Sequence, residues 1–300
     1  MLDYKLIEAL AMVCQEGGFD RAARVLHLTQ SAISQRVRQL ERQLGVPLVV
    51  RGPPPRPTRI GNRLIAHYRR VTQLERDLED DLQPGPRDGL LTLSIGVNED
   101  TIATWFTPAI ADLARERGYL LHFAVDDQEE THKLLKLGEV LGCISTRNEA
   151  LQGCSVVYLG RVDYRCVASP GFVQRWFSNG FHEAAVRQAP AVVYSPKDRI
   201  HNRFLEGLYG TPCPPFPHHF IPSSHGFVDA IVGGLGYGLL PHLQSGALLD
   251  SGQVTDLAPE RSLPTHLYWH HWDLQAGPIR ELTAALVRYT RRNLPQGKTG

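Results

Sequence analysis

The chain has no long apolar run and no recognisable export signal. No stretch reaches the roughly 18 to 20 apolar residues that are needed to span a bilayer. The first twenty residues place Asp3, Glu8 and Glu16 among their apolar positions, which a secretory signal peptide does not do. We therefore expect a cytoplasmic protein with no membrane partner.

Cysteine is scarce and shows no pairing pattern. The five cysteines are an odd number, lie far apart and include no C-x-x-C pair: Cys14, Cys143, Cys154, Cys166 and Cys213. This usage excludes a disulfide-rich secreted scaffold and indicates free thiols in a reducing compartment.

Motifs of catalysis and cofactor binding are also missing. Neither His218-His219 nor His270-His271 belongs to an H-E-x-x-H or Cys-His set, and neighbouring side chains on a strand point to opposite faces. No G-x-S-x-G elbow supports a hydrolase. The glycine-rich segment 233–238 runs G-x-G-x-G into a strand, which is not a dinucleotide-binding pattern. We predict no metal, no cofactor and no enzymatic activity; an enzyme with a DNA-binding appendage is the remote alternative.

The chain does contain enough apolar material for two folded domains. Of its 300 residues, 42% are hydrophobic and 21% are charged, as in soluble globular proteins. Residues 1–70 carry twelve basic and five acidic side chains, a net charge of +7, which leaves −6 for the remainder. This division predicts a module that binds a polyanion, attached to a part with a different task.

Three short helices are predicted in the basic quarter. Apolar residues at helical spacing place the first helix at 3–15, and a Gly-Gly pair ends it. Asp20 is the predicted N-cap of the second helix and Thr29 that of the third, which Gly45 ends. The short turn between the second and third helices is typical of a helix-turn-helix.

The third helix has a polar and cationic face opposite its apolar stripe of Ile33, Val37, Leu40 and Leu44. Arg pairs with guanine edges, Gln with adenine and Ser with either, and phosphates accept from all three. The alternative is a face that is merely solvated. We predict that the helix start and this face bind DNA through Thr29, Gln30, Ser31, Ser34, Gln35, Arg36, Arg38 and Arg42.

A proline-fixed loop follows a short predicted strand at 48–50. Residues 51–58 read RGPPPRPT, and proline donates no backbone hydrogen bond, so the loop holds its arginines on a preset hairpin. We predict a wing in which Arg51, Arg56 and Thr58 contact the DNA backbone or minor groove. An ordinary linker is the alternative.

One long helix is predicted from residue 60 to 82, where apolar residues recur at steps of four and three. Its reverse face is charged, so we expect the apolar stripe to pair with the same stripe of a second copy. The stripe consists of Ile60, Leu64, Tyr68, Val71, Leu74, Leu78 and Leu82. We place a winged helix-turn-helix domain at 1–58, a linker (dimerisation) helix at 59–83 and a hinge rich in proline and glycine at 84–89.

From residue 90 to 300, continuous apolar runs alternate with helical patterns, which indicates parallel α/β architecture with room for two lobes. The predicted strands lie at 90–97, 120–125, 141–145, 156–167, 191–194, 219–221, 237–240 and 266–270.

An ordered series of residues runs through the first domain: Gly18 to Ala23, Leu26, Thr29 to Val37, Leu40-Glu41, Leu44-Gly45, Leu48 and Arg51. This series strongly resembles the DNA-binding domain of LysR-type transcriptional regulators. Two positions depart from the family pattern, since Val49 stands where an aromatic residue is common and Ile60-Gly61 replaces alanine-glycine.

Shorter segments extend the resemblance into the second domain: Val50-Arg51 with Pro54 to Thr58, Val97-Asn98, Ala103 to Trp105, Gly138 to Val140, and Tyr268 to His270. Together they resemble the arginine/lysine-exporter regulator branch of the family (ArgP/LysG type).

The resemblance implies an α+β protein overall, with a winged helix-turn-helix, a long linker helix and a two-lobed α/β effector domain similar to periplasmic binding proteins. Lobe I would comprise residues of about 90–162 and 267–300, and lobe II about 163–266. The implied partners are double-stranded DNA with an interrupted palindromic operator, a small-molecule effector, further copies of the chain in a dimer or tetramer, and RNA polymerase. The implied function is control of amino acid export or metabolism genes in response to arginine or lysine, with another small carboxylate as the alternative effector.

Polar side chains follow the predicted strands at their carboxyl ends, where open α/β sheets bind ligands beside helix N-termini. The hydroxyls suit an α-carboxylate and the acidic groups suit cationic nitrogens, as in arginine or lysine. For each acidic residue, the alternative is a charge favoured by the helix dipole. The predicted effector-binding residues are Asn98, Asp100, Thr101, Asp126, Asp127, Ser145, Ser195, Ser223 and Ser224.

Overall fold

The computed structural model of the chain describes residues 2–50, 52–82, 90–126, 131–273 and 277–297. For residues 73 and 76–82 it describes the backbone alone. Arg51, Asp127 and the hinge predicted at 84–89 lie outside the described residues.

The first unit begins with three helices: α1 Tyr4–Gln15, α2 Phe19–Val25 and α3 Gln30–Leu44. Thr29 caps α3 as predicted, because its Oγ1 accepts a hydrogen bond from the backbone N of Ala32 at 3.2 Å, and Gly45 ends α3 in the left-handed conformation. The predicted N-cap of α2 is wrong. The helix begins one residue before Asp20, which lies in the first turn, where a negative charge still suits the helix dipole.

Apolar side chains of these helices form the core of the first unit, with Ile7, Leu10 and Ile33 among the fully buried ones. The predicted stripe of α3 is buried except for its last residue, Leu44, which is exposed. An antiparallel wing follows, formed by β1 Val49–Val50 and β2 Arg56–Pro57.

The long helix α4 spans Arg59–Leu82, close to its predicted range. The apolar stripe that is expected to pair with a second copy is partly covered within its own chain, because Leu64 and Tyr68 pack against the core of the first unit. The Tyr68 hydroxyl also donates to Glu8 Oε1 at 3.3 Å. Farther along the stripe, Leu74 remains 49% exposed, and Ile60 at the helix start is 36% exposed. Among the stripe residues whose side chains the structure describes, these two are the exposed ones.

The second unit is built on one seven-stranded sheet in the order β10-β6-β11-β5-β3-β4, with β9 also paired to β6. Strands β3, β4 and β5 run parallel, as predicted, whereas β6 and β11 are antiparallel to each other. The strands are β3 Leu91–Val97, β4 Tyr119–Val125, β5 Gly142–Ser145, β6 Cys154–Ala168, β9 Gly238–Pro241, β10 Thr255–Asp256 and β11 Leu263–Trp272. A second, parallel pair consists of β7 Ala191–Val193 and β8 His218–Phe220.

Helices cover these sheets and connect their strands. They are α5 Glu99–Thr101, which continues through a π-helical turn (Ile102–Phe106) into α6 Thr107–Arg117, then α7 Thr131–Lys136, α8 Pro170–Trp176, α9 Glu183–Val186, α10 Ile200–Tyr209, α11 Ser224–Val232, α12 His242–Asp250 and α13 Gly277–Asn293. Among the described residues, none of the helices combines the length and the apolar character that crossing a bilayer requires.

The two long strands β6 and β11 join two α/β lobes. The first half of β6 and the second half of β11 belong with β3 to β5 in lobe I, while the other halves lie with β7 to β10 in lobe II. The two strands pair at the passage from one lobe to the other, for example Tyr164 with Leu263 and Arg161 with His266. Consequently, the carboxyl ends of β3 and β5 face the helix starts of lobe II.

Candidate functional site

The exposed face of α3 is one candidate site. Its stripe of Ile33, Val37 and Leu40 is buried, which leaves the opposite side of the helix in solvent. Of the predicted DNA-binding residues on α3, Gln30, Ser31, Gln35, Arg38 and Arg42 are exposed, and Ser34 and Arg36 are half-buried. The Arg38 guanidinium donates to Ser34 Oγ at 3.2 Å, so a neighbouring hydroxyl orients it along the helix. This face can present hydrogen-bond donors and positive charge to a DNA groove.

The wing presents Arg56 in an exposed position on β2. Thr58, also predicted to bind DNA, is half-buried and has a local role. Its hydroxyl donates to the Pro47 carbonyl at 3.0 Å and accepts from the Gly61 backbone N at 3.1 Å, so it ties the wing to the start of α4. Thr29 likewise uses its hydroxyl oxygen for capping, although its side chain is exposed.

The second candidate site is a cavity of about 270 Å³ between the two lobes. It lies where the carboxyl ends of the strands of lobe I face the starts of α10, α11 and α12. The cavity is lined by Asn98, Glu99, Asp100, Asp126, Thr146, Tyr194, Lys197, Asp198, Arg199, Ile200, His201, Arg203, Ser224, Phe227, Leu239, Leu240, Gln244 and Thr265.

Four of the predicted effector-binding residues line this cavity: Asn98, Asp100, Asp126 and Ser224. The four other described ones do not, and three of those use their hydroxyl oxygens on local backbone N–H groups. Ser145 Oγ accepts from the Arg147 backbone N, Ser195 Oγ from that of Lys197, and Ser223 Oγ from that of Gly226. The fourth residue, Thr101, is buried in the protein. Strand ends thus located the cavity, but nearby hydroxyls more often stabilise turns and helix starts.

Asp100 lies at the centre of a hydrogen-bonded chain that joins both lobes. The Tyr164 hydroxyl donates to its Oδ2 at 3.0 Å, and Ser224 Oγ donates to its Oδ1 at 3.2 Å. Gln244 Nε2 in turn donates to Ser224 Oγ at 2.9 Å. Burial raises the pKa of Asp100 to about 6, although the bonds from Tyr164 and Ser224 lower it. The site therefore holds a carboxyl group whose ionisation is costly without a further partner.

A second carboxylate, Asp198, was missed by the sequence analysis. It precedes α10, where its Oδ1 accepts from the Ile200 backbone N at 2.9 Å and its Oδ2 from that of Tyr194 at 3.3 Å. Burial raises the pKa of Asp198 despite these bonds, and its charge also raises the pKa of Asp100. The signal was an acidic residue between a predicted strand and a helix, three positions after the predicted Ser195.

Several buried polar atoms of the cavity lack a hydrogen-bond partner within the described residues. They are Asn98 Oδ1, Glu99 Oε2, Gln244 Oε1, Thr265 Oγ1 and both ring nitrogens of His201. Most buried polar groups in folded proteins are paired, because an unpaired one costs about 1 to 3 kcal/mol. Three of these atoms accept hydrogen bonds only, so the cavity favours a ligand that is rich in donors.

The rim of the cavity carries the opposite charge. Lys197 Nζ of lobe II lies 3.9 Å from Asp126 Oδ1 of lobe I, so this ion pair spans the mouth. Arg199 and Arg203 are exposed beside it. An acidic interior with a cationic rim is complementary to a molecule that carries a cation at one end and a carboxylate at the other.

Family models match both units of the chain. The model described as bacterial regulatory helix-turn-helix protein, lysR family, matches residues 4–62, and that of the LysR substrate binding domain matches residues 89–291. The chain is 42% identical over 295 residues to the HTH-type transcriptional regulator ArgP of Vibrio vulnificus (strain CMCP6), covering 98% of this chain and 99% of the relative. It is also 42% identical to ArgP of Pseudomonas fluorescens (strain Pf0-1), covering 96% and 97%.

Solved structures give the same result. ArgP from Mycobacterium tuberculosis superposes with a TM-score of 0.88 at 33% identity, covering 99% of this chain and 100% of the other. Full-length LysG from Corynebacterium glutamicum, solved with bound effector Arg, gives a TM-score of 0.77 at 31% identity, covering 98% and 100%. These relatives are named as regulators, not as enzymes. The chain therefore belongs to the LysR family of DNA-binding transcriptional regulators, with the two-lobed effector domain of that family.

Proposed function

We propose that the chain binds arginine or lysine in the cavity between its lobes and controls genes of amino acid export or metabolism in response. The observation that carries this proposal is that the interior of the cavity has carboxyl groups and unpaired hydrogen-bond acceptors. Asp100 and Asp198 are half-buried and their carboxyl groups are desolvated, and one side-chain oxygen each of Asn98, Glu99 and Gln244 has no hydrogen-bond partner among the described residues.

The physical argument concerns the cost of burying these groups. A buried carboxylate is stabilised by a cation that hydrogen-bonds to it, and charge-assisted bonds are roughly twice as strong as neutral ones. A dicarboxylate would leave the amide and carboxylate oxygens unpaired and would add repulsion. The exposed guanidinium groups of Arg199 and Arg203 are suited to the α-carboxylate at the rim. A cavity of about 270 Å³ suits a ligand the size of a single amino acid.

The arginine bound to LysG of Corynebacterium glutamicum supports this proposal. For the first unit, we propose that the exposed polar face of α3 reads base edges while Arg56, with Arg51, contacts the backbone or minor groove. The exposed positions of the α4 stripe, among them Leu74, join two copies, so the operator is an interrupted palindrome with half-sites about one helical turn apart. We also propose assembly to a tetramer, contact with RNA polymerase and a cytoplasmic location, as expected of a member of this family.

The test is calorimetric titration of the purified protein with four ligands. They are arginine, lysine, citrulline, whose side chain is an uncharged isostere of arginine, and glutamate. We expect arginine or lysine to bind with at least tenfold higher affinity than citrulline, because a charge-assisted hydrogen bond becomes a neutral one, a loss of about 1.5 kcal/mol or more. Tighter binding of glutamate, or equal binding of citrulline and arginine, would overturn the basic amino acid proposal and leave the family assignment intact.

A further inference from the structure

A buried histidine, His201 in the first turn of α10, is among the residues that line the cavity. It is 2% exposed, and neither Nδ1 nor Nε2 has a hydrogen-bond partner in the part of the chain that the structure describes. Its ring packs against Phe216 and Tyr237, with centroids 5.8 Å and 5.9 Å away. An unpaired buried polar group is costly, so a ligand in the adjoining cavity that bonds to one of these nitrogens would remove part of that cost.

The protonation state of His201 matters because the rest of the interior is acidic. Burial, with a smaller contribution from the charge of the nearby His218, lowers the pKa of His201 to about 3. The ring is therefore neutral at physiological pH, with one N–H and one nitrogen that accepts a hydrogen bond. A neutral ring can lie beside a cation without repelling it.

We propose that His201 is a specificity-determining residue that favours arginine over lysine; this inference rests on the proposed function. A guanidinium is planar, offers five N–H donors and stacks on flat rings, whereas an ammonium is a compact and strongly hydrated charge. The accepting nitrogen of His201 bonds to one guanidinium N–H, and the flat imidazole supports the planar group. The carboxylates supply the attraction to positive charge, which arginine and lysine share.

The experiment compares arginine and lysine affinities of the wild type and of His201→Phe by calorimetry. Phenylalanine keeps a flat ring and removes both nitrogens, so we expect arginine affinity to fall about tenfold, as for the loss of one hydrogen bond, and lysine affinity to fall less. The arginine-to-lysine ratio therefore decreases. A second variant, His201→Gln, retains an acceptor and is expected to recover part of that ratio.

Phe216→Leu serves as the matched control, because it removes a ring that packs on His201 without removing a hydrogen-bonding atom. We expect this variant to keep the wild-type ratio. An unchanged ratio in both His201 variants, or an equal change in Phe216→Leu, would overturn the role of His201 even if the wild type binds arginine. Absence of binding to the wild type would instead remove the proposed function on which it rests.

An independent observation concerns the contact between α4 and lobe I. Arg69 Nη1 donates to the Gly138 carbonyl at 3.2 Å, just after α7. A Cβ atom on Gly138 would lie 2.8 Å from Ala66 Cα and 2.9 Å from Ala66 Cβ, so α4 approaches the loop as closely as a glycine permits. Gly138 also has a φ of +67°, which favours glycine.

One helical position farther, Arg70 completes this contact. Its Cζ lies 3.5 Å from the centroid of the Trp272 ring, which is 5% exposed. The ring belongs to a small apolar cluster with Leu135 and Val140 of lobe I. A cation over a desolvated tryptophan face is at the stronger end of such interactions. We call the set of Ala66, Arg69, Arg70, Gly138 and Trp272 the linker contact.

We infer that the linker contact transmits effector binding to the DNA-binding unit. Trp272 ends β11, the strand that passes between the lobes, and the Gly138 loop leads into β5, whose carboxyl end reaches the cavity at Thr146. A ligand that changes how the lobes meet therefore acts on both elements that hold α4. Coupling requires such a connected element that responds to both sites.

The test measures operator affinity with and without saturating arginine; the ratio of the two is the coupling. We expect Gly138→Ala to push α4 away and to reduce this ratio at least threefold, while the calorimetric affinity for arginine stays at the wild-type value. Arg70→Gln, which keeps a long side chain and removes the cation, is expected to act in the same direction.

The matched control is Gly210→Ala, because Gly210 has a φ of +68° and a Cβ added to it would meet no atom within 4 Å. It imposes the same backbone cost without a steric contact, and we expect full coupling. Wild-type coupling in both Gly138→Ala and Arg70→Gln would overturn this inference. So would a wild type that binds arginine without any change in operator affinity.

Discussion

The exposed face of α3 and the cavity between the lobes are both polar, but they hold their polar groups in opposite ways. On α3 the side chains of Gln35, Arg38 and Arg42 are exposed and hydrated before any ligand arrives. In the cavity, the carboxyl group of the half-buried Asp100 is desolvated, and Glu99 has an oxygen without a hydrogen-bond partner among the described residues. A ligand at the first site replaces water, whereas a ligand at the second completes bonds that folding left unmade.

This difference predicts different consequences of mutation. Removing an exposed guanidinium loses a contact and leaves no buried charge behind. Removing or neutralising a carboxylate of the cavity also relieves a desolvation cost in the free protein, so ligand affinity falls while stability can rise. The two sites should consequently be separable by mutation. A substitution on α3 should weaken DNA binding and leave effector binding intact, and a substitution in the cavity should do the reverse.

The largest effect is expected from Leu74→Asp on the exposed part of the α4 stripe. A charge at this position should separate the two copies, and operator affinity should fall about a hundredfold or more, because a monomer loses the second recognition helix. Arginine binding, which needs one copy, should persist. Sedimentation velocity and operator titration measure both quantities.

Leu90→Asp provides the control, since Leu90 is an exposed leucine outside α4. It should sediment and bind the operator as the wild type does. A Leu74→Asp protein that still sediments as a dimer would show that the copies meet elsewhere.

The next largest effect is expected on arginine binding, with operator binding unchanged. Asp100→Asn keeps the shape of the side chain and removes its charge, so arginine affinity should fall about ten- to hundredfold, the equivalent of 1 to 3 kcal/mol. Operator binding without effector should not change. Calorimetry and operator titration distinguish the two outcomes, with Asp112→Asn on the exposed surface of lobe I as the control. Equal arginine affinity in Asp100→Asn and wild type would exclude Asp100 as the ligand of the cation.

Within the DNA-binding unit, we expect smaller and more specific losses. Gln35→Ala and Arg38→Ala should each weaken operator binding by about 1 to 3 kcal/mol and leave non-specific binding nearly intact. Arg56→Ala should weaken binding to all sequences more evenly and lower the salt dependence, because we assign Arg56 to the backbone. Titrations with operator and scrambled DNA at several salt concentrations test this. Unchanged affinities of Arg38→Ala for both DNAs would show that α3 is oriented differently.

The same contrast explains what could be predicted from the sequence. Helix periodicity, the Thr29 cap and the Gly45 stop follow from local chemistry, so the bounds of α3 and the exposure of most of its polar face could be predicted. The cavity depends on residues more than 100 positions apart meeting across two lobes, as Asp100 and Ser224 do. Strand ends indicated the region, but no local pattern distinguishes Asp198, which lines the cavity, from Ser195, which stabilises a turn. Likewise, the coverage of Leu64 and Tyr68 in the α4 stripe could not be recognised from the sequence, because it depends on how the first unit packs against α4.

The smallest effect concerns pH and applies to the cavity alone. The pKa of Asp100 is raised to about 6, so in the free protein this carboxyl stays protonated from about pH 4 to about pH 6, where the unfolded chain ionises. The contribution of Asp100 to stability therefore falls as pH rises through this window, and a cationic ligand, which requires the ionised form, stabilises more at the upper end. Tyr164 and Ser224 favour ionisation, whereas Asp198 and Glu99 oppose it. We expect arginine affinity to be roughly tenfold lower at pH 5 than at pH 7, with the increase in melting temperature following the same trend. Asp100→Asn should flatten this profile, and Asp112→Asn should keep it. A wild-type profile that remains flat between these pH values would mean that Asp100 is already ionised in the free protein and that its charge is balanced by a group other than the ligand.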